Sequence, residues 1–423
     1  MKRTAVLILD HLDDPEGLEV LYRQDPEAFR ESLDEAFHAA HDSTVLRAWR
    51  ARLEYREALP GEKYELGLWY TLGICFVVGT LVRLPATWLG EEWYYPRFTP
   101  LWIILGLSGY FLIRRPDRTL LIAGVSLTLT AIGYVSLLPS YSVGNSGELY
   151  YSDSIVMALI HLPLALWGYL GLAFLGDTWR DGQSRVRFVR YSGELVILTS
   201  LVGLGGMVLS GVTVVLFQLI DLDIEDWYFS NVGVFCAAAV PIAASYLYDA
   251  VFNRRTAIAP VLARVFAPLF LVMVVIYLVV TFVEGENPFI DRDSLITFNG
   301  LLLLVLAISV FSLVERKGKS NVDLIDYINL ALVGVTLLID AIALSAILFR
   351  LASYGFTPNR VTVLGANVVI LVHLVKICRT YINLVRRKVG FTAMQRVVGS
   401  YLPVYAVWAA IVTFLLPVVF AFE

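Results

Sequence analysis

Cysteine is scarce and unpatterned in this chain. Its 423 residues hold three, Cys75, Cys236 and Cys378, each inside or at the end of an apolar run. A disulfide framework or a zinc site needs clustered or paired spacing, so neither is expected. There are five histidines and no paired His/Asp/Glu metal spacing, no nucleophile elbow and no phosphate loop. No metal, cofactor or metal-dependent intramembrane enzyme is therefore expected, and the first reading of the chain is not an enzyme. Charge of one sign is also lacking: the net charge is −4, which does not suit a nucleic-acid partner. The opening stretch MKRTAVLILDHLDD is too short in its apolar part, and too soon acidic, for a cleaved leader. The first span is expected to serve as the targeting signal. No repeat relates the two halves.

Apolar sequence is abundant. Hydrophobic residues make up 58% of the chain, with mean hydropathy +0.69, against roughly 45–50% in soluble domains. From Tyr64 onward about eleven runs are long enough to cross some 30 Å of hydrocarbon as helices. They lie near 65–84, 98–113, 119–139, 154–175, 191–220, 228–251, 262–283, 294–313, 325–349, 361–382 and 400–421. The fold expected is an all-α polytopic bundle of about eleven transmembrane helices (64–423) with a small helical N-terminal head (1–63). Gly203, Gly205 and Gly206 are expected to kink or break the long fifth run. Pro163, Pro241, Pro268, Pro403 and Pro417 are expected to bend others. Small residues four apart, Gly206 with Ser210 and Gly233 with Ala237, suit close helix contact.

In the head, Asp25-Pro26 reads as an N-cap followed by proline at the first helical position. The helix it opens carries Phe29, Leu33 and Phe37 on one face. Asp42-Ser43 opens another, with Leu46, Trp49 and Leu53 at helical spacing among Arg47, Arg50, Arg52 and Arg56. This basic amphipathic segment suits a packed cap, an anionic leaflet or a protein partner.

The loops alternate in charge. RRPDR (114–118), RDGQSRVRFVR (180–190), FNRR (252–255), ERKGK (315–319) and RRK (386–388) fall on one side; GEEW, SGELYYSDS, DLDIED and EGENPFIDRD fall on the other. Basic loops stay cytoplasmic. One turn breaks the alternation: Ala352–Arg360 falls outside although Arg350 and Arg360 edge it, and this suggests a local job for those two arginines. The reading is a bacterial inner-membrane protein, embedded in the lipid bilayer, with a cytoplasmic N-terminus and the C-terminus outside. Trp88, Trp93, Tyr94, Tyr95, Tyr150 and Tyr151 suit an outer aromatic belt. The acidic loop Asp221–Asp226 lacks the glycine and distal glutamate of a calcium loop, so it reads as solvated.

The hairpin Asp326–Arg387 concentrates the costly residues. Asp340 lies on its first arm, with His373 and Lys376 on its second. An ionisable residue inside a span needs a partner or a purpose. Mirroring the arms about Gly355 puts Asp340 level with Ile370, one turn from both Asn367 and His373, with Lys376 a turn further. The expectation is one polar cluster of Asp340, Asn367, His373 and Lys376, between these two helices or against a third, acting as structural glue or as a proton or ion relay. In the outer turn, Gly355 frees a backbone torsion, Thr357 can bond local backbone and Pro358 stiffens the start of the next helix. Arg360 then either ties to nearby carbonyls or offers an anion, headgroup or partner site. His161, near Pro163 in the fourth span, reads as bonded to a neighbouring carbonyl or as part of a relay. Glu194 and Asp249, near cytoplasmic ends, suit pairing with local arginines.

Tyr354, Gly355, Thr357 and Arg360, with Asn367 in the following span and YINL at 327–330, form a pattern that resembles the bacterial membrane family DUF4153 and its relative DUF4173. The resemblance covers about 320–385. It implies a polytopic membrane protein and carries no settled activity.

Three functions stay open at this point. The first is a permease or channel-like protein for a small solute or ion, using the hairpin. The second is a structural or regulatory component whose head docks a partner. The third is a lipid- or glycan-modifying enzyme using outer acids. The oligomeric state is open.

Overall fold

The computed structural model describes residues 3–422 except 41, 58–60, 140–141, 144–148, 151, 253, 255–257, 285–291 and 315–323. Tyr151 and the ERKGK loop lie outside the described residues, as does most of EGENPFIDRD. The chain divides into two compact units, Met1–Trp69 and Tyr70–Glu423.

The first unit holds helices α1 (Arg3–Asp10), α2 (Pro15–Gln24), α3 (Pro26–Ala39) and α4 (Thr44–Glu57). Asp25 caps α3, its Oδ1 accepting the Ala28 N–H at 3.0 Å with proline at the first helical position. Ser43 caps α4 through the Leu46 N–H at 3.3 Å. Phe29, Leu33, Leu46, Trp49 and Leu53 are buried together with Ala5, Ile8 and Leu18. The Phe29 and Trp49 rings sit 5.0 Å apart. The apolar face of α4 is thus spent inside this unit's own core rather than offered to a leaflet. Across the surface, Arg52 bonds Glu19 at 2.6 Å. Hydrogen bonds from Arg52, then Arg23, hold the exposed Glu19 carboxyl below its usual range. The sequence reading missed α1 and α2, because short apolar stretches between acids resemble a frayed terminus.

The second unit is built from long apolar helices: α5 (Gly61–Leu89) from Tyr70 onward, α6 (Glu91–Arg114), α7 (Arg118–Leu137), α8 (Asp153–Leu175) and α9 (Gly182–Gln218). A two-residue antiparallel pair, β1 (Ser142–Val143) with β2 (Leu149–Tyr150), sits between α7 and α8. The sixth crossing runs α10 (Glu225–Tyr228), a π turn and α11 (Val234–Tyr246), ending in a second π turn, Leu247–Val251. Next come α12 (Ile258–Glu284), α13 (Arg292–Val314), α14 (Leu324–Tyr354), α15 (Pro358–Val385) and α16 (Phe391–Ala410), the last running through a π turn into α17 (Leu416–Val419). Among the described residues, ten helices are long and apolar enough to cross a membrane. The eighth expected run contributes the shorter apolar stretch Phe298–Ser312. The protein is an all-α polytopic membrane protein.

Aspartates open several spans: Asp117 accepts the Thr119 and Leu120 N–H groups of α7, and Asp181 those of Gln183 and Ser184 of α9. These are orphan donors of a first helical turn. The Ser184 hydroxyl, then the Ser184 and Gln183 N–H groups, hold the Asp181 carboxyl below its usual range. Glu194 is fully buried and accepts the Ala259 N–H at 2.9 Å, capping α12.

Three expectations are corrected. α9 is one unbroken helix of 37 residues through Gly203, Gly205 and Gly206, since glycine permits a kink without enforcing one. No heavy atom lies within 4 Å of a Cβ placed on Gly206, and the Gly233 Cβ would meet only its own helix at Phe229 and Tyr228. The close crossing lies elsewhere: a Cβ on Gly399 would stand 1.9 Å from the Gly182 carbonyl oxygen, where α16 crosses the start of α9. Tyr94 leaves the aromatic belt, being 2% exposed. Its hydroxyl donates to the Leu81 carbonyl and accepts from the Trp102 indole. Trp88 stays outward-facing.

Candidate functional site

The hairpin of α14 and α15 turns on three residues. Gly355 takes φ +78°, a left-handed torsion that glycine adopts freely, and its N–H closes α14 on the Leu351 carbonyl. Thr357 caps α15 by accepting the Arg360 N–H at 3.3 Å, with Pro358 at the first helical position. Arg360 Nη1 donates to the Tyr354 and Gly355 carbonyls at 2.8 and 2.9 Å, and its guanidinium lies 5.6 Å from the Tyr354 ring. One arginine therefore fastens the end of α14 to the start of α15.

Beside this turn opens a cavity of about 220 Å³, lined by Asp153, Asn299, Arg350, Asn359 and Arg360 among others. Two guanidinium groups face one carboxylate there. Arg350 Nη1 is buried with no hydrogen-bond partner among the described residues. Such a donor in a cleft suits a carboxylate or phosphate oxygen.

Asn299 leads inward. Its Oδ1 accepts the Asn367 Nδ2 at 2.9 Å, joining α13 to α15. Asn367 lies seven residues past Arg360, about 10 Å along the helix. A buried stripe runs along α14 through Asp326, Asn329, Val333, Thr336, Asp340, Ala343 and Ile347. Steps of three and four residues keep it on one helix face. Asn329 on this stripe donates to Ser312 at 2.7 Å. Asp340 is fully buried, and neither carboxylate oxygen has a hydrogen-bond partner among the described residues.

The expected four residues are divided: His373 and Lys376 come together against a third helix, α16, and Asn367 turns away from them. Asn367 bonds Asn299. His373 Nδ1 shares a 2.8 Å hydrogen bond with the Tyr405 hydroxyl, and its ring stacks on Tyr401 at 4.4 Å. The Lys376 ammonium lies 4.8 Å from the centre of the same Tyr401 ring. The reason is helical geometry: Asn367 and His373 are six residues apart, roughly 120° around the axis. One faces α13 and the other faces α16. His161 lies apart, its Nδ1 2.8 Å from the Met157 carbonyl oxygen.

Asn299, Tyr401 and Tyr405 were missed in the sequence. Asn299 carries a signal, being an amide inside an apolar run, but attention to formal charge alone passes it over. The tyrosines carry none, since a tyrosine in a span is ordinarily packing or interface.

No protein-family model matches the chain, and no solved structure matches it. Over 311 residues it is 23% identical to the probable cytochrome c-type biogenesis protein NrfE of Escherichia coli (strain K12), an alignment that takes in 70% of this chain and 48% of that protein. The chain thus spans about half the length of the curated relative it matches. It is a multi-pass membrane protein with a distant similarity to that one.

Proposed function

We propose that this protein is a permease for a small polar solute or ion in a bacterial inner membrane. Its mouth is the cavity at Arg350 and Arg360. Its route continues past Asn299 and Asn367 toward Asp340. The observation that carries this reading is the carboxylate of Asp340, without a hydrogen-bond partner among the described residues, which a purely structural role would engage. The charge alternation of the other loops supports an orientation with the head in the cytoplasm and the C-terminus outside; this puts the α14–α15 turn outside as well, its arginines running against the rule. The likeness of 320–385 to DUF4153 belongs to the same reading and adds no activity.

The docking alternative gains little from the head, whose exposed large apolar residues among those described are Val6, Leu7 and Val20. The enzyme alternative would want a lateral groove beside acids. The groove of about 340 Å³ beside α8 and α16 is lined by Arg185 and apolar residues, whereas the outer cavity at Arg350 does hold one acid, Asp153. A second reading, a part in c-type cytochrome assembly, rests on the likeness to the E. coli protein. It predicts loss of haem-bearing c-type cytochromes on deletion of the gene.

The permease reading is tested by screening small carboxylates, phosphate and amino acids for a rise in the thermal midpoint of the purified protein. A solute that stabilises the wild type should bind Arg350→Gln at least tenfold more weakly, and should cross liposome membranes only with wild-type protein inserted. No stabilising solute, or equal binding by Arg350→Gln, removes the mouth from the proposal.

A further inference from the structure

At the opposite end of the bundle, the last residues of α6 meet the π turn that ends the sixth crossing. The side chain of Asp249, on that turn, is 6% exposed, and its carboxylate is gripped from two directions by Arg114 and Arg254. The Tyr110 hydroxyl adds a third bond at 3.2 Å. Around this core lies a cavity of about 200 Å³, lined also by Arg115, Phe111 and Phe174. A water takes up about 30 Å³ in the liquid, so a phosphate group fits.

The charges there do not balance. Three guanidinium groups face one carboxylate, an excess of two positive charges on the lining. Asp249 already spends its oxygens on Arg114 and Arg254, so it acts as their holder. Arg115 is exposed, and its side chain makes no hydrogen bond or ion pair among the described residues. Arg254 adopts φ +58°, which costs an arginine conformational energy, and its guanidinium rests 5.2 Å from the Phe174 ring. Arg114 likewise lies 4.7 Å from the Tyr110 ring. Both forks are therefore held in place from below. Guanidinium forks in such a cleft match phosphate oxygens. The two loops that supply them, RRPDR and FNRR, share the face that charge alternation assigns to the cytoplasm, where anionic headgroups attract arginine.

We propose that Arg114, Arg115 and Arg254 form a binding site for a phosphate-bearing anion, either the headgroup of an anionic phospholipid or free phosphate, at the cytoplasmic end of the bundle.

The test uses the full chain purified in neutral detergent. Its thermal midpoint is tracked during titration with inorganic phosphate, phosphatidylglycerol and phosphatidylcholine. Stabilisation by phosphatidylglycerol alone identifies a headgroup; stabilisation by inorganic phosphate as well identifies the free anion. In either case Arg115→Gln, which leaves both Asp249 pairs intact, should bind at least tenfold more weakly. Arg118→Gln, outside the cavity, should bind as the wild type does. Should Arg115→Gln not fold, Arg115→Lys keeps the charge without the fork and should bind with intermediate affinity. No stabilisation by either phosphate source, stabilisation by phosphatidylcholine to the same degree, or equal weakening by Arg118→Gln overturns the site.

Discussion

Asp340→Asn is expected to give folded protein at least as stable as the wild type, and to slow solute movement tenfold or more. A carboxylate inside a bundle with no hydrogen bond from the described residues bears a desolvation cost that no partner offsets. Removing the charge relieves that cost. Asp340→Cys extends the argument: an uncharged side chain of nearly the same volume should likewise leave the thermal midpoint unchanged or raised. Glue predicts the reverse, since removing a bonded buried group costs about 1–3 kcal/mol. The thermal midpoints of the two variants, read beside liposome flux, separate these outcomes. Raised stability with lost flux supports the route; lost stability with unchanged flux supports glue.

Gly399→Ala should be the most damaging single-atom change in the membrane unit. Its Cβ would fall 1.9 Å from the Gly182 carbonyl oxygen and 3.0 Å from the carbonyl carbon. Those are backbone atoms at the start of α9, so no rotamer change can clear them. α16 would have to move off α9, and with it Tyr401 and Tyr405. The expected loss is about 3 kcal/mol or more, the upper range for overpacking. It should appear as aggregated or absent protein in size-exclusion profiles. Gly206→Ala is the control: its Cβ meets no atom within 4 Å, and alanine favours helix by about 1 kcal/mol. That variant should be at least as stable as the wild type.

The contrast between Gly399 and Gly206 shows what a sequence discloses here. Hydropathy located the crossings, because each must satisfy its own backbone in lipid and so must be a long apolar helix. Caps were legible too: Asp25 and Thr357 stand just before prolines and bond the N–H groups that their positions imply. Rotation of one helix against another was not legible. Gly206 belongs to a four-residue small motif yet faces open space, whereas Gly399 stands outside any such pattern. The same gap divided the polar cluster. Counting residues from Gly355 matched the depths of Asp340, Asn367 and His373, but depth leaves the azimuth free. Asn367 turned to Asn299, and His373 to Tyr405. The pairing of Asp249 with arginines was foreseeable from its place among basic loops. Its particular partners, 135 and 5 residues away in sequence, were not.

The measurement that bears most directly on the account is thiol labelling along the hairpin. With Cys75, Cys236 and Cys378 replaced by alanine, single cysteines are placed at Asn359, Asn367 and Asp340, with Leu348 as an outward-facing control. A small membrane-impermeant charged thiosulfonate is then applied in turn to each face of sealed vesicles. The account predicts labelling from the face that carries the Tyr354–Thr357 turn, fastest at position 359, slower at 367 and slowest but complete at 340, with position 348 unreactive. Full labelling at 359 with none at 367 and 340 from either face would contradict it, and would leave the polar atoms of this hairpin as packing.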